Sequence, residues 1–342
     1  MAKDTQLARA AFEAGQAAFN IGDYASAEAH FTSALQADPD HAEAHQWSAG
    51  VATRGGRLRD AVEHLEAACA LSPENVQFHV DAAVTYSRLG DAGAALRHAE
   101  KAVSLAPTSV PVHQLLAGIS LPGPHYLEVI TMIHAQLRPR TYLEIGVATG
   151  QSIALARPET RAIGIDPEPR VAAPLGPHVA IRATTSDAYF ENHDVWGDLR
   201  GMTIDLSFID GMHQFEFALR DFINIEKHCS PRSTILVHDC YPLTRLTAER
   251  ERQTTFWSGD IWRLILILRK YRPELRVNVI AAPPTGLGLV RNLDSSSTVL
   301  EEKYADILRE YLALDYSALD ADKDTKLALF PNDWERIKSI LQ

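Results

Sequence analysis

A period of 34 residues governs the first third of this 342-residue chain. Pro39, Pro73 and Pro107 share the phase, and so do Gly22, Gly56 and Gly90. Ala27, Ala61 and Ala95 form a third set, and Ala34, Ala68 and Ala102 a fourth. A unit of this length accommodates two short antiparallel helices. Alanines let the helices approach closely, glycine permits the tight turn between them, and proline ends the second. One such pair cannot bury its own apolar face, so successive pairs must stack. The period therefore predicts an all-α solenoid with repeats at 8–41, 42–75 and 76–109, followed by a capping helix over Val110–Ser120.

The segment GDYASAEAHFTSALQADP (22–39) resembles the tetratricopeptide repeat. That resemblance implies a concave groove that binds an extended peptide or another subunit, a second copy of the chain included. Phe12, Gln16, Phe19, Asn20, Gln46, Thr53, Arg54, Val80, Ser87 and Arg88 are the positions expected to face it. The basic clamp that some such domains use for a C-terminal carboxylate is not evident, because Phe12 and Gly50 fall where its polar residues would stand. The competing reading is that the repeats serve only to pack on the rest of the chain or on another copy.

Length alone calls for two domains, and charge narrows the partners. The net charge is −11. Residues 1–118 carry 14 acidic and 8 basic side chains, and the remainder 30 and 25. Both parts are acidic, which argues against broad binding to nucleic acid or to anionic membranes. The apolar run Trp262–Leu268 is far shorter than the roughly 20 residues that span a bilayer. MAKDTQLARA has no apolar signal core. Cys69, Cys229 and Cys240 form no CxxC pair, so neither a disulfide framework nor a zinc ribbon is expected. The expectation is a soluble cytoplasmic protein.

SLPGPH (120–125) breaks the pattern and divides a domain at 1–120 from one at 121–297, with a helical extension over 298–342 that packs back on the second domain. Beyond the break, a helix over 125–137 precedes short apolar strands at 141–147, 161–165, 179–183, 204–209 and 234–237. Helices are expected at 150–156, 213–228 and 261–271. Strands apolar on both faces with helices between them indicate a covered parallel sheet. The last strands, 276–282 and 286–290, are joined by PPTG, too short for a parallel crossover, so they must run antiparallel. A parallel sheet ending in an antiparallel hairpin resembles the Rossmann-like class I S-adenosylmethionine (SAM) methyltransferase fold. The fold class expected is thus an α-helical solenoid followed by an α/β domain.

TYLEIGVATGQSIALA (141–156) carries Glu144, Gly146 and Gly150, the acid–glycine–glycine spacing of the methyltransferase first motif, with Ala148 where many members have a middle glycine. Glycines suit a loop whose backbone must approach a cofactor. Asp166 ends the second strand 22 residues after Glu144, at the distance where an acid accepts ribose hydroxyls in methyltransferases and NAD-binding proteins alike. Asp187 follows the third strand, where the resemblance implies a contact to the adenine amino group. Asp210 ends the fourth strand with His213 three residues on, and His238 and Asp239 end the fifth. Carboxylates on adjacent strand ends suit a divalent cation. The alternative is that Asp210 caps the following helix and His213 occupies its first turn.

LEIGVATG, FIDGMHQFE and LVHDCYP together resemble the branch containing macrocin-type sugar O-methyltransferases and the cephalosporin hydroxylase/rhamnosyl O-methyltransferase relatives, over about residues 125–292. The resemblance implies a small-molecule or glycosylated acceptor and a magnesium ion held at the positions of Asp210, His238 and Asp239. It also implies that His213 deprotonates the acceptor hydroxyl. A histidine at position 238, where the branch has an acid, favours a transition metal over magnesium. The polar stretch 241–260 follows the fifth strand and can overhang the site as a lid, with Arg245, Arg250, Trp257 and Asp260 near the acceptor. A surface segment anchored by a tryptophan explains the same residues. Three rival readings remain: methylation of a protein held by the repeats, a non-catalytic adaptor, and an NAD-binding or hydroxylating enzyme.

Overall fold

A computed structural model describes residues 3–342, which divide into two compact units, one ending at Ser120 and the other spanning Leu121–Gln342. The first unit contains α1 (Thr5–Asn20), α2 (Tyr24–Ala37), α3 (Ala42–Arg54), α4 (Leu58–Leu71), α5 (Val76–Leu89), α6 (Ala92–Leu105) and α7 (Val110–Ser120). Three helix pairs and a seventh helix follow the period closely. The six alanines that share it are fully buried, which explains why nothing larger occupies those positions. Gly22, Gly56 and Gly90 take φ values of +83°, +74° and +87° in the intra-pair turns. Asp23 and Asp91 cap α2 and α6 by accepting from the N–H groups of Ser26 and Ala94, each worth about 1 kcal/mol.

The second unit begins with α8 (Tyr126–Leu137), capped by a reciprocal His125–Glu128 box. Then come β1 (Thr141–Ile145), β2 (Arg161–Ile165), β3 (Val179–Arg182), α9 (Ser186–Asn192), α10 (Val195–Asp198) and β4 (Ile204–Ile209). The chain continues through α11 (Phe215–Glu226), β5 (Cys229–Val237), α12 (Trp262–Tyr271), β6 (Arg276–Ile280) and β7 (Leu287–Arg291). It closes with α13 (Val299–Glu302), α14 (Tyr304–Leu312), α15 (Lys323–Lys326), β8 (Leu329–Phe330) and α16 (Trp334–Ile340). One eight-stranded sheet results, in the order β3-β2-β1-β4-β5-β7-β6-β8. β1 to β5 are parallel, and β7 runs antiparallel to both β5 and β6.

Two elements differ from the sequence expectation. The segment 150–156 forms only a 3-10 turn at Ile153–Leu155, because Pro158 follows too soon for a helix to propagate. The C-terminal stretch, read as wholly helical, contributes β8, which pairs in parallel with β6. The stretch does pack back: Ile337 and Leu341 join Ile133, Phe208 and Leu289 in the sheet's main core. Burying Ile337 completely is worth about 1.5–3 kcal/mol. No helix among the described residues is long and apolar enough to cross a membrane.

Candidate active site

The site grows from the register of three strands. Ile145 pairs with Ile209, and Ile209 with Val237, so the loops leaving β1, β4 and β5 emerge side by side. Gly146 (φ +87°) is where the first two loops touch: a Cβ there would lie 1.9 Å from the Asp210 carbonyl oxygen. The contact that forbids a side chain here is with Asp210, a requirement separate from any approach of a cofactor. Gly150 (φ +83°) closes the loop, its N–H donating to the Val147 carbonyl at 2.8 Å. Between them Ala148 adopts φ +44°, a left-handed conformation that costs a non-glycine residue about 1–2 kcal/mol.

Glu144 plays an indirect part. It is wholly buried and accepts from the Tyr142 hydroxyl at 2.5 Å and from Ser152 Oγ at 2.7 Å. Ser152, not the carboxylate, lines the cavity. Burial pushes the Glu144 carboxyl up to about 8 against the pull of those two donors.

A cavity of about 470 Å³ opens beside the loop, within the range usual for small-molecule sites. Asp166, Asp187, Asp210 and His213 all line it. Asp166 Oδ2 accepts from the N–H groups of Val147 (2.9 Å) and Ala148 (2.8 Å), and Oδ1 from that of Glu168 (2.7 Å). Three of the carboxylate's roughly four acceptor positions are thereby used, leaving room on Oδ1 for one ligand hydroxyl. Asp187 is clamped by Arg220 through bonds of 3.0 and 2.8 Å.

Asp221 also lines the cavity and escaped the sequence reading. It lies on α11, whose buried face is Phe215, Ala218, Leu219, Phe222 and Ile225. An acid three residues beyond Ala218 on that face was the available signal. Burial pushes its carboxyl up to about 7, opposed by a hydrogen bond from Ser186, and its Oδ1 has no hydrogen-bond partner in the structure.

Four residues converge behind the cavity. His213 Nδ1 lies 2.9 Å from Asp239 Oδ2, and His213 Nε2 lies 3.8 Å from Asp210 Oδ1. His238 Nδ1 is 3.3 Å from both Asp210 Oδ1 and Asp239 Oδ2. Despite this proximity, His213 Nδ1 and both His238 ring nitrogens make no well-aligned hydrogen bond. The four residues surround a chamber of about 10 Å³, close to the volume that one water or one ion needs. Single ligand atoms of Asp210, His213 and Asp239 lie within 4.8 Å of one another. Orphaned nitrogens beside two carboxylates fit a divalent ion, and the mixed nitrogen and oxygen donors fit a transition metal better than magnesium.

The charges explain the cluster's resting state. Burial disfavours a charged His213, but Asp239 and then Asp210 outweigh it and hold the imidazole above its usual range. His238 is raised further for the same reason. Burial would raise Asp239, yet His238 and His213 bring it well below the ordinary carboxylate range. His213 (φ +56°) and Asp239 (φ +61°) both sit in the left-handed region, strain that persists only where surrounding contacts enforce it. Thr285 Oγ1 donates to Asp239 Oδ1 at 2.6 Å, and the Tyr126 ring lies 4.2 Å from that of His238.

The segment after β5 folds over His213. The Trp257 indole stacks on its imidazole at 5.0 Å and 7°. Gly259 makes the approach possible, since a Cβ there would stand 1.8 Å from the His213 carbonyl oxygen. The helix expected from His213 starts instead at Phe215, so His213 occupies a strained turn before it. Asp210 does not cap α11; Asp260 does, accepting from the Phe215 N–H at 2.8 Å. Asp260 also binds Arg250 and Arg263, each at 2.6 Å, and Arg250 additionally grips Glu216. Arg245 pairs with Asp315 at 2.9 Å. Arg245, Arg250 and the Asp260 carboxylate therefore brace the overhang, while Trp257 stacks on the histidine ring and the Asp260 N–H donates to the His213 carbonyl at 3.2 Å.

In the repeat unit, a groove of about 490 Å³ is lined by Phe19, Gln46, Thr53, Arg54 and Arg88, all expected there, and also by Asp81. Gln46 Nε2 donates to Asp81 Oδ2 at 2.6 Å, and the Arg54 guanidinium lies 5.2 Å from the Phe19 ring centre.

A family model described as a methyltransferase domain matches residues 143–240, and one for the tetratricopeptide repeat matches residues 12–76 and 52–110. No curated protein matches the chain. Among solved structures, the first TPR of Spaghetti (RPAP3) bound to an HSP90 peptide shares 23% identity, covering 34% of this chain and 94% of that one, with a TM-score of 0.34. MamA from Desulfovibrio magneticus RS-1 shares 25%, covering 33% and 64%, at 0.32. The TPR domain of Arabidopsis OM64 shares 16%, covering 34% and 95%, also at 0.32. The chain joins a tetratricopeptide-repeat module to a domain of methyltransferase type.

Proposed function

We propose that the second unit is a SAM-dependent methyltransferase acting on a hydroxyl of a sugar or glycosylated natural product, assisted by a divalent metal. One observation carries this reading: the glycine loop, Asp166 and Asp187 line the same cavity as Asp210 and His213. SAM supplies the electrophilic methyl group when bound. The β1 loop and Asp166 fix the donor, and Asp187, held by Arg220, faces its base. Asp210, His238 and Asp239 would hold a divalent metal, which would supply positive charge that makes an acceptor hydroxyl more acidic. His213 takes the hydroxyl proton, oriented by Asp239 beside Nδ1 and by Trp257 against its ring face. With a divalent ion held there, the negative charge that keeps the histidines protonated would be offset, and His213 would be free to act as a base.

Calorimetric titration with S-adenosylhomocysteine, with and without EDTA, tests the cofactor. The expected result is micromolar binding that Asp166→Ala weakens while the protein remains folded by circular dichroism. No binding in either condition would leave the adaptor reading standing. Turnover that EDTA abolishes, and that manganese, cobalt or zinc restores better than magnesium, is expected once an acceptor is found.

A second reading rests on the groove, where Arg54 and Arg88 accompany apolar Phe19 and Val84. Such a surface suits an acidic peptide, and a protein recruited there would be the methyl acceptor. A captured protein that gains the mass of one CH2 per site on addition of SAM would favour this reading over the sugar.

A further inference from the structure

The 34-residue phase also carries histidines. His45 and His79 share one register, and His64 and His98 another. Each pair meets between the two helices of one repeat: Nδ1 of His45 lies 3.0 Å from Nδ1 of His64, and Nδ1 of His79 lies 3.0 Å from Nδ1 of His98. The second pair has additional company. Cys69 Sγ stands 3.7 Å from His79 Nδ1, and single ligand atoms of Cys69, His79 and His98 all lie within 4.8 Å of one another.

Hydrogen bonds on the far side of each ring determine what faces the centre. His79 Nε2 meets the Pro73 carbonyl oxygen at 3.0 Å, which can only accept, so Nε2 carries the proton. His98 Nε2 meets Glu66 Oε1 at 3.2 Å, and the same carboxylate accepts from the Tyr86 hydroxyl at 2.7 Å. Both Nδ1 atoms therefore turn bare lone pairs toward each other, and that of His79 also meets the sulfur. Two lone pairs at that distance repel unless a cation lies between them. A backbone carbonyl and a carboxylate behind the two imidazoles are also the usual outer partners of metal-bound histidine. Around a tetrahedral zinc-like ion, ligand lengths of about 2.0–2.1 Å for nitrogen and 2.3 Å for sulfur separate two nitrogens by about 3.4 Å and nitrogen from sulfur by about 3.6 Å. The His79–His98 and Cys69–His79 separations of 3.0 and 3.7 Å need only a few tenths of an ångström of adjustment, and the third pair lies within 4.8 Å.

We infer that Cys69, His79 and His98 form a thiolate–bis-imidazole site for a zinc-class transition metal that ties the second repeat to the third. Cys69 and His79 are buried and His98 sits at the rim, so the three protein ligands leave a fourth position to water. On binding, the Cys69 S–H bond breaks, the sulfur keeps the electron pair and donates it to the metal, and the proton passes to solvent. The His45–His64 pair of the second repeat serves as a built-in control. Its phase equivalents of Cys69 and Glu66 are Leu35 and Thr32, so it has neither the sulfur nor the carboxylate.

Cobalt(II) added to the reduced full-length chain, in an Asp210→Ala background that disables the other candidate cluster, provides the test. One equivalent should produce a thiolate-to-cobalt charge-transfer band. Cys69→Ala should abolish it and Cys240→Ala should not. Should Cys69→Ala fail to fold, His98→Gln at the rim must abolish the band instead. Glu66→Gln should weaken binding about tenfold. Thr32→Glu combined with Leu35→Cys should add a second equivalent of the same band. Absence of the band in the unaltered repeats, or its survival in Cys69→Ala, would overturn the assignment.

Discussion

The two units use the same residue types for different ends. In the repeat unit, Gly22 has no atom within 4 Å of where its Cβ would be, so it answers only to backbone conformation. In the sheet unit, Gly146 has a carbonyl oxygen 1.9 Å from that point, so it answers to a neighbouring strand. The contrast extends to charge. The repeats bury alanine and spread their acids over the surface, whereas the sheet gathers two aspartates and two histidines behind one cavity. Structure that recurs along the chain tolerates local loss, while structure assembled once does not.

The sharpest test of that contrast is chemical. Replacing His213 with Gln should lower turnover by about 10²–10⁴-fold, with thermal unfolding of the repeat unit unchanged. A loss of less than tenfold would remove His213 from the role of base. Next in size is a paired glycine experiment. Gly146→Ala should cost at least about 3 kcal/mol in urea unfolding of the sheet unit, at the upper end for overpacking, and Gly22→Ala about 1 kcal/mol in the repeats. Equal costs would erase the distinction between steric and conformational glycines.

Proton linkage offers a third comparison. Glu144 and Asp221, pushed up to about 8 and about 7 by burial, bind more protons in the folded state than in the unfolded one. The sheet unit should thus lose stability as pH rises from about 5 toward 8, by up to about 1.4 kcal/mol per pH unit for each group. Glu144→Gln should flatten that slope; an unchanged slope would show that the carboxyl does not change its protonation on folding. The smallest effect concerns the loop itself. Ala148→Gly should stabilise by about 0.5–1 kcal/mol, the left-handed cost relieved less the added freedom of glycine in the unfolded chain.

Legibility divides along the same line. The repeats were readable because each feature recurs in phase, and the parallel strands because apolar runs between turns leave few other options. β8 was not readable, because two residues carry no periodicity. The segment after Gly150 looked helical because Ser, Ile, Ala and Leu suit a helix, but Pro158 prevails. Within the site, the positions of Asp210, His213, His238 and Asp239 at two strand ends could be read from spacing. The left-handed backbone of His213 and Asp239 could not, because the contacts around it come from Thr285, Trp257 and Gly259 in distant parts of the chain. Asp260 looked like an acceptor contact because proximity in sequence to the overhang does not reveal that its carboxylate points back to cap α11.

The indole stacked on His213 also makes the protein an optical instrument. Trp257 is one of five tryptophans, and its emission should respond to whether the imidazole beneath it is charged, since a cation against an aromatic face perturbs the ring it touches. Comparing fluorescence of the wild type with that of Trp257→Phe isolates this signal. Occupancy of the cluster can then be followed in real time, with no acceptor identified and no label attached.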